Sequence, residues 1–287
     1  MARLLPGTVY TLQVAREAEF GYFLTDGNVD ILLHRSEITE SIEIGQSIDV
    51  FIFHDKQGRL AATMKIPNIQ LDQYGWCEVV DVKEDLGVFI HIGTIKDILI
   101  HKDDLPKMKS VWPTVGGKLY CTLKLDKRGN LLGKLATENI MSELFVKADR
   151  RAFNKNVTGI IYRTLYSGSF MITEEGYRGF IHESQRTIEP RVGSTVTGRI
   201  IDVKEDGTVN VSLLKRGHEL LDEDSKKIYS YLESRGGSMP YTDKSQPSDI
   251  MKRFGMSKAA FKRALGRLMK EGKVYQEEGW TYSKKDQ

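Results

Sequence analysis

Through the first three quarters of the chain, apolar residues come in short strand-like runs between turn residues; in the last quarter they recur at helical spacing. Thr8–Val14 carries Val9, Leu12 and Val14, and Phe20–Leu24 and Val29–Leu33 are short runs joined by Thr25-Asp26-Gly27-Asn28, which is turn chemistry. Gly45–Phe53 and Leu60–Met64 follow, separated by the Gly-containing hairpin loop Asp55-Lys56-Gln57-Gly58-Arg59. Five short strands with a longer connection after the third predict a five-stranded Greek-key barrel.

The pattern returns twice. Glu19–Glu37 reads EFGYFLTDGNVDILLHRSE, Asp85–Asp103 reads DLGVFIHIGTIKDILIHKD, and Tyr166–Ser184 reads YSGSFMITEEGYRGFIHES. Each copy opens on Gly-x-Phe, with Gly at 21, 87 and 168, and ends its last strand on His34, His101 or His182, which follow by 13, 14 and 14 residues. A repeat of this length predicts three related small domains, over residues 1–66, 70–136 and 154–215. Between the second and third, Thr137–Lys147 (TENIMSELFVK) has an N-capping Thr and Ile140, Met141, Leu144 and Phe145 at helical spacing. It predicts a helical linker within 137–153.

From Glu219 the period changes. Asp222–Ser234 puts Ile228, Tyr231 and Leu232 on one helical face, Gln246-Pro247-Ser248 opens a second helix, and Ser257 caps a third. Lys273–Gln276 and Gly279–Ser283 then read as a hairpin. Three helices and a hairpin predict a winged helix over 219–287. The expected fold class is mainly β with a C-terminal α+β domain: three tandem five-stranded barrels, then a winged helix.

Composition narrows the function. No run of 18 apolar residues is present, which argues against a membrane span. The N-terminus MARLLPGTVYTLQ lacks an apolar signal region. Cys77 and Cys121 give neither a metal site nor a disulfide framework and suit a reducing cytoplasm. The net charge of +3 is uneven: Lys215 onward holds 16 Lys and Arg against 11 Asp and Glu, leaving 26 against 28 before it. If the repeats bind nucleic acid, contacts other than charge must carry much of it. P-loop, HExxH, CxxC and Gly-x-Ser-x-Gly patterns are absent, so no enzyme, metal or cofactor is expected.

The Gly-x-Phe strand, the strand ending in His, and the Asp and Arg flanking the last hairpin resemble the S1-type RNA-binding OB fold. That resemblance implies single-stranded RNA held by an aromatic pair, a His, an Asp and an Arg. The first unit matches through Phe20, Phe23, His34, Asp55 and Arg59. The second keeps Phe89, His101 and Asp126, has Leu86 for the first aromatic, and carries its Arg earlier, at Arg128. The third keeps Phe170 and His182 and adds Tyr177, but has Lys204 and Thr208 at the hairpin. Physical chemistry fits these roles: a base stacks on Phe for about 1–3 kcal/mol whatever its identity, His and Arg supply donors, and the Gly lets a ligand's backbone come close. Lone Phe residues on strands usually belong to cores. Three copies beside the inward-pointing Leu24, Ile90 and Met171 favour an outward platform instead.

On the third helix of the tail, Phe261, Leu265 and Leu268 share one face, and Lys258, Lys262, Arg263, Arg267 and Lys270 cover the other, as in a helix-turn-helix. Three S1-type units followed by a winged helix resemble the conserved virulence factor B family of bacterial RNA-binding regulators. The resemblance implies an RNA-binding protein influencing gene expression after transcription; the expected form is a cytoplasmic monomer with single-stranded RNA as partner and the ribosome or messenger RNA as wider ones. A DNA-binding transcription regulator and a ribosome- or protein-docking scaffold stay open as alternatives.

Overall fold

A computed structural model describes residues 4–284 apart from residue 56. The chain forms two compact units, Met1–Leu213 and Leu214–Gln287. Within the first, β1 (Val9–Ala18), β2 (Gly21–Thr25), β3 (Asp30–His34), β4 (Ser47–His54) and β5 (Leu60–Thr63) close a barrel in the order β1-β2-β3-β5-β4. A parallel pairing of Leu32 with Ala61 seals it. The second barrel is built from β6 (Gly75–Lys83), β7 (Gly87–His91), β8 (Ile98–His101), β9 (Lys118–Leu125) and β10 (Leu131–Leu135). The third comprises β11 (Asn156–Leu165), β12 (Gly168–Thr173), β13 (Arg178–His182), β14 (Thr195–Val203) and β15 (Val209–Ser212).

Alternation decides the interiors. Leu12, Val14, Leu24, Ile31 and Leu33 fill the first barrel with Val50 and Ile52. Leu24, Ile90 and Met171, each next to its platform Phe, are fully buried, as their place in the strand requires. The long first strand of each barrel shifts register at one place, between Val14 and Arg16, Val79 and Asp81, and Ile161 and Arg163. A bulge there lets one strand bend around the barrel and pair on both sides.

Backbone hydrogen bonds join successive barrels. Leu71 N–H donates to Gly7 O at 2.8 Å, and Phe51 of the first barrel is buried in the second barrel's core cluster. Lys118 N–H donates to Gly193 O at 2.9 Å and Val192 N–H to Val111 O at 3.0 Å, joining the second barrel to the third.

The expected linker helix is shorter than its periodicity suggests. α1 covers only Glu138–Ser142, and Thr137 stands at its N-cap without a side-chain bond. By Val146 the chain is extended: its N–H donates to Gly176 O at 2.9 Å, and it bridges to Tyr177. Pairing with the third barrel outweighs the helical pattern.

In the second unit, α2 (Gly217–Ser234) begins five residues before the expected Asp222 because Glu219 reaches back to accept from Arg216 N–H at 2.8 Å. β16 (Ser238–Met239), α3 (Pro247–Phe254), α4 (Lys258–Lys270), β17 (Val274–Glu277) and β18 (Trp280–Ser283) complete a winged helix, with sheet order β16-β18-β17. Ser257 caps α4 as its sequence suggests, accepting from Ala260 N–H at 3.2 Å. Ile228, Leu232, Phe254, Phe261 and Leu265 make the core.

Candidate nucleic-acid interface

Directly opposed residues on paired strands share a face, and alternate residues of one strand return to it. In the first barrel Gly21 opposes His34 and Phe23 opposes Leu32. Leu33, between Leu32 and His34, and Leu24, next to Phe23, are buried, so Phe23, Leu32 and His34 form an outward row. The second barrel repeats it with Phe89, Leu99 and His101, and the third with Phe170, Phe180 and His182. The barrels thus bring together each Phe and His singled out by the repeat. Phe180 is the member that sequence reasoning missed. It lies in an apolar run that reads as core, and only register with Phe170 reveals it, with ring centroids 4.9 Å apart.

The glycines serve the strands rather than a ligand. A Cβ at Gly21 would lie 2.0 Å from Leu33 O, at Gly87 2.1 Å from Ile100 O, and at Gly168 2.3 Å from Ile181 O. Their absent side chains let the two strands of the row approach. Phe20 sits at the turn before Gly21, 61% exposed, with its carbonyl accepting from Arg35 N–H at 2.9 Å. Leu86 and Ser167 take that place in the other copies, by the same bond to Lys102 and Glu183. Tyr166, 90% exposed, is one residue off it.

Each His caps the N-terminus of a one-turn 3-10 helix. Nδ1 of His34 accepts from Ser36 N–H at 3.2 Å, and His182 does the same with Ser184 at 3.2 Å. With Nδ1 accepting, the ring proton rests on Nε2, leaving a free donor on the ring's other side. His101 accepts from Asp103 N–H at 3.3 Å, with the Asp103 carboxylate 3.2 Å from the same nitrogen.

The last hairpins spend their carboxylates on themselves. Asp55 accepts from Gln57 N–H at 2.8 Å and Arg59 N–H at 3.0 Å, and the Arg59 guanidinium donates to its other oxygen at 2.8 and 2.9 Å. These bonds, led by the Arg59 backbone, hold the Asp55 carboxyl below its usual range. Asp126 is bound in the same way, by Arg128 N–H at 2.7 Å and Asn130 N–H at 2.8 Å, while the Arg128 side chain is exposed. In the third barrel Asp206, two places later, accepts from Thr208 N–H at 2.9 Å. There Ala148 N–H of the linker donates to Gly207 O at 2.9 Å, and a Cβ at Gly207 would meet Lys147 at 2.6 Å.

A cation lies over each platform ring, and a carboxylate holds each cation. Arg16 stands 3.9 Å from the Phe23 centroid and pairs with Asp30 at 3.4 Å. Lys83 is 5.3 Å from Phe89 and 3.7 Å from Asp81. Arg178 is 4.6 Å from Phe170 and 2.8 Å from Glu138 of α1. Glu138 also accepts from Tyr162 OH at 3.1 Å, and burial, followed by that carboxylate, pushes the Tyr162 hydroxyl upward. Phe145 of the linker, Tyr162, Phe170 and Phe180 make a chain of rings 4.9 to 6.2 Å apart. Tyr177 packs against the third barrel's core instead.

On α4, Phe261, Leu265 and Leu268 are buried, and Lys262, Arg263 and Lys270 are exposed with Lys258 half-buried. None of these four forms an ion pair among the described residues. Arg267 differs: it pairs with Asp222 of α2 and with Glu271 at 2.8 Å, which makes it a brace inside the domain. The described residues contain no group of three or more His, Cys, Asp or Glu placed for a metal ion, and no helix long and apolar enough to cross a membrane.

An S1 domain model matches residues 6–65, a CvfB first S1-like domain 74–134, the second domain of virulence regulatory factor CvfB 141–215, and a CvfB-like winged helix domain 226–282. YitL of Bacillus subtilis (strain 168) is 57% identical over 280 residues, which cover 98% of this chain and 94% of that protein. Conserved virulence factor B of Staphylococcus epidermidis (strain ATCC 12228) is 37% identical over 269 residues, covering 92% and 90%. A crystal structure from Streptococcus pneumoniae TIGR4, described as a multidomain protein with nucleic acid binding domains, superposes with a TM-score of 0.67 at 36% identity, covering 97% of this chain and 98% of that one. Matches to four successive modules, with identity above one third along nearly the whole length, make this chain a member of the conserved virulence factor B family.

Proposed function

We propose that the protein binds single-stranded RNA on its barrel faces, with the exposed cations of α4 adding phosphate contacts, and acts as a post-transcriptional regulator of gene expression. The observation that carries this reading is the outward row repeated in three barrels: an aromatic platform, an apolar or aromatic neighbour, and a His with Nδ1 engaged by a backbone amide. A flat ring needs an unstacked base, which single-stranded RNA offers and a duplex does not. The cation above each ring lies where a phosphate or the edge of a base can draw on it. The family relatives named for virulence, and the structural relative described by nucleic acid binding domains, support the regulatory part. The buried free thiols Cys77 and Cys121 suit the cytoplasm.

The test is a competition gel shift at one salt concentration between a single-stranded RNA and a duplex DNA of equal length. RNA should win, and Phe170→Ala should weaken RNA binding by about 1–3 kcal/mol. Equal or tighter duplex binding would instead favour a transcription regulator, for which the unpaired Lys262, Arg263 and Lys270 on α4 are the supporting observation.

A further inference from the structure

The second barrel looks the poorest of the three by sequence, because Leu86 stands where the first barrel has Phe20. The structure adds rings from elsewhere. A cavity of about 190 Å³ lies between the first and second barrels, and Phe89 of the second barrel's outward row lines it. Phe53 and His54, from the end of β4 in the first barrel, line it from the other side, with Leu99, Asn130, Lys96 and Asp97 around them. Nδ1 of His54 is buried and has no hydrogen-bond partner. An unsatisfied polar atom inside a largely apolar, aromatic cavity costs free energy unless a ligand meets it.

We infer that Phe89, Phe53 and His54 form one composite pocket for an unpaired nucleobase, shared between the first and second barrels. A base is a planar ring system with polar atoms confined to its edge. Phe89 and Phe53 offer aromatic surface to such a ring, and His54 Nδ1 offers the edge a donor or acceptor according to its tautomer. Asn130, whose Nδ2 donates to Asp126 at 3.0 Å, has its amide oxygen to offer the same edge. Lys96, exposed at the mouth, has the charge to hold the attached phosphate. His54 directly precedes Asp55, so the hairpin of the first barrel's own site ends at this cavity. A strand passing that hairpin would place its next base here. The inference rests on the proposed RNA binding and specifies where the second base-binding position lies.

The pocket levels an order. Judged by the repeat alone, Phe89→Ala should cost less than Phe23→Ala; a composite pocket makes the two losses similar. In titrations of the full-length protein with one fluorescent RNA oligonucleotide, His54→Ala and Phe89→Ala should each weaken binding about fivefold or more. The double variant should bind about as well as the weaker single, since either change breaks the same pocket. Multiplying losses, or a His54→Ala variant that binds like wild type while Phe89→Ala does not, overturns the inference. Phe53 is left intact because it packs against the second barrel's core. A second readout uses the unaltered protein with labelled histidine side chains, followed by magnetic resonance as RNA, then uridine or adenosine monophosphate, is added. The His54 ring signals should move with each. RNA bound with His54 unmoved removes the pocket and leaves the proposed function standing. Mononucleotide shifts without RNA binding keep a nucleotide pocket and remove the proposed function, and no shift with no binding removes both.

Discussion

The row glycines and Gly266 offer opposite tests of the same substitution. At Gly87 a methyl group would lie 2.1 Å from the Ile100 carbonyl, a backbone atom that can yield only by moving β8 away from β7. Gly87→Ala should therefore destabilise the protein by about 1–3 kcal/mol or more, as overpacking does. At Gly266, on the exposed side of α4, an added Cβ meets nothing within 4 Å. Gly266→Ala should stabilise its domain by about 0.5–1 kcal/mol through helix propensity. Thermal melts of the two variants decide the matter. The Gly-x-Phe signature was legible as a repeat, but its purpose was not, because the clash is with a carbonyl 12 or 13 residues away that only register brings near. The hairpin carboxylates show the same limit. Asp55 and Asp126 look like ligands in the sequence, and the fold binds both to their own loop amides.

Among elements, α4 and the linker divide by what their charges already do. Lys262, Arg263 and Lys270 hold no ion pair among the described residues, whereas Arg267 is bound to Asp222 and Glu271. Replacing the first three by Ala should weaken RNA binding and reduce the slope of log K against log salt by about 0.7 for each phosphate no longer neutralised. Arg267→Ala should leave that slope alone and lower the melting temperature of the winged helix. If Arg267→Ala changes the slope as the others do, the brace opens on binding. The helix and its buried face were readable from period alone, since one strong amphipathic pattern specifies both. The split among its cations was not, because it depends on Asp222, 45 positions earlier in the chain. The linker misled for a related reason: its apolar residues fit a helix, yet Val146 pairs with the third barrel, and Phe145 joins the ring chain beside Phe170.

At the scale of the molecule, the two units differ in charge and in how they hold together. Backbone hydrogen bonds join barrel to barrel throughout Met1–Leu213. A protein ending at residue 213 should melt in one transition that the full chain also shows, the second transition of the full chain belonging to Leu214–Gln287. It should keep binding single-stranded RNA with a flatter salt dependence, because the basic excess lies beyond it. Two overlapping broad transitions in the shortened protein would mean that the seams between barrels do not couple them. The cations laid over Phe23, Phe89 and Phe170 also matter when no nucleic acid is near. Bare aromatic faces on three barrels with nearly balanced charge would be adhesive. A guanidinium or ammonium over each ring, held by Asp30, Asp81 or Glu138, gives that face a hydrated ionic cover, so two copies meeting platform to platform would have to strip water from these ion pairs. On the proposed reading, the phosphate of an incoming nucleotide would compete with those carboxylates for the cations and draw the cover aside. The same surface would then resist self-association in a crowded cell and still open to a polyanion.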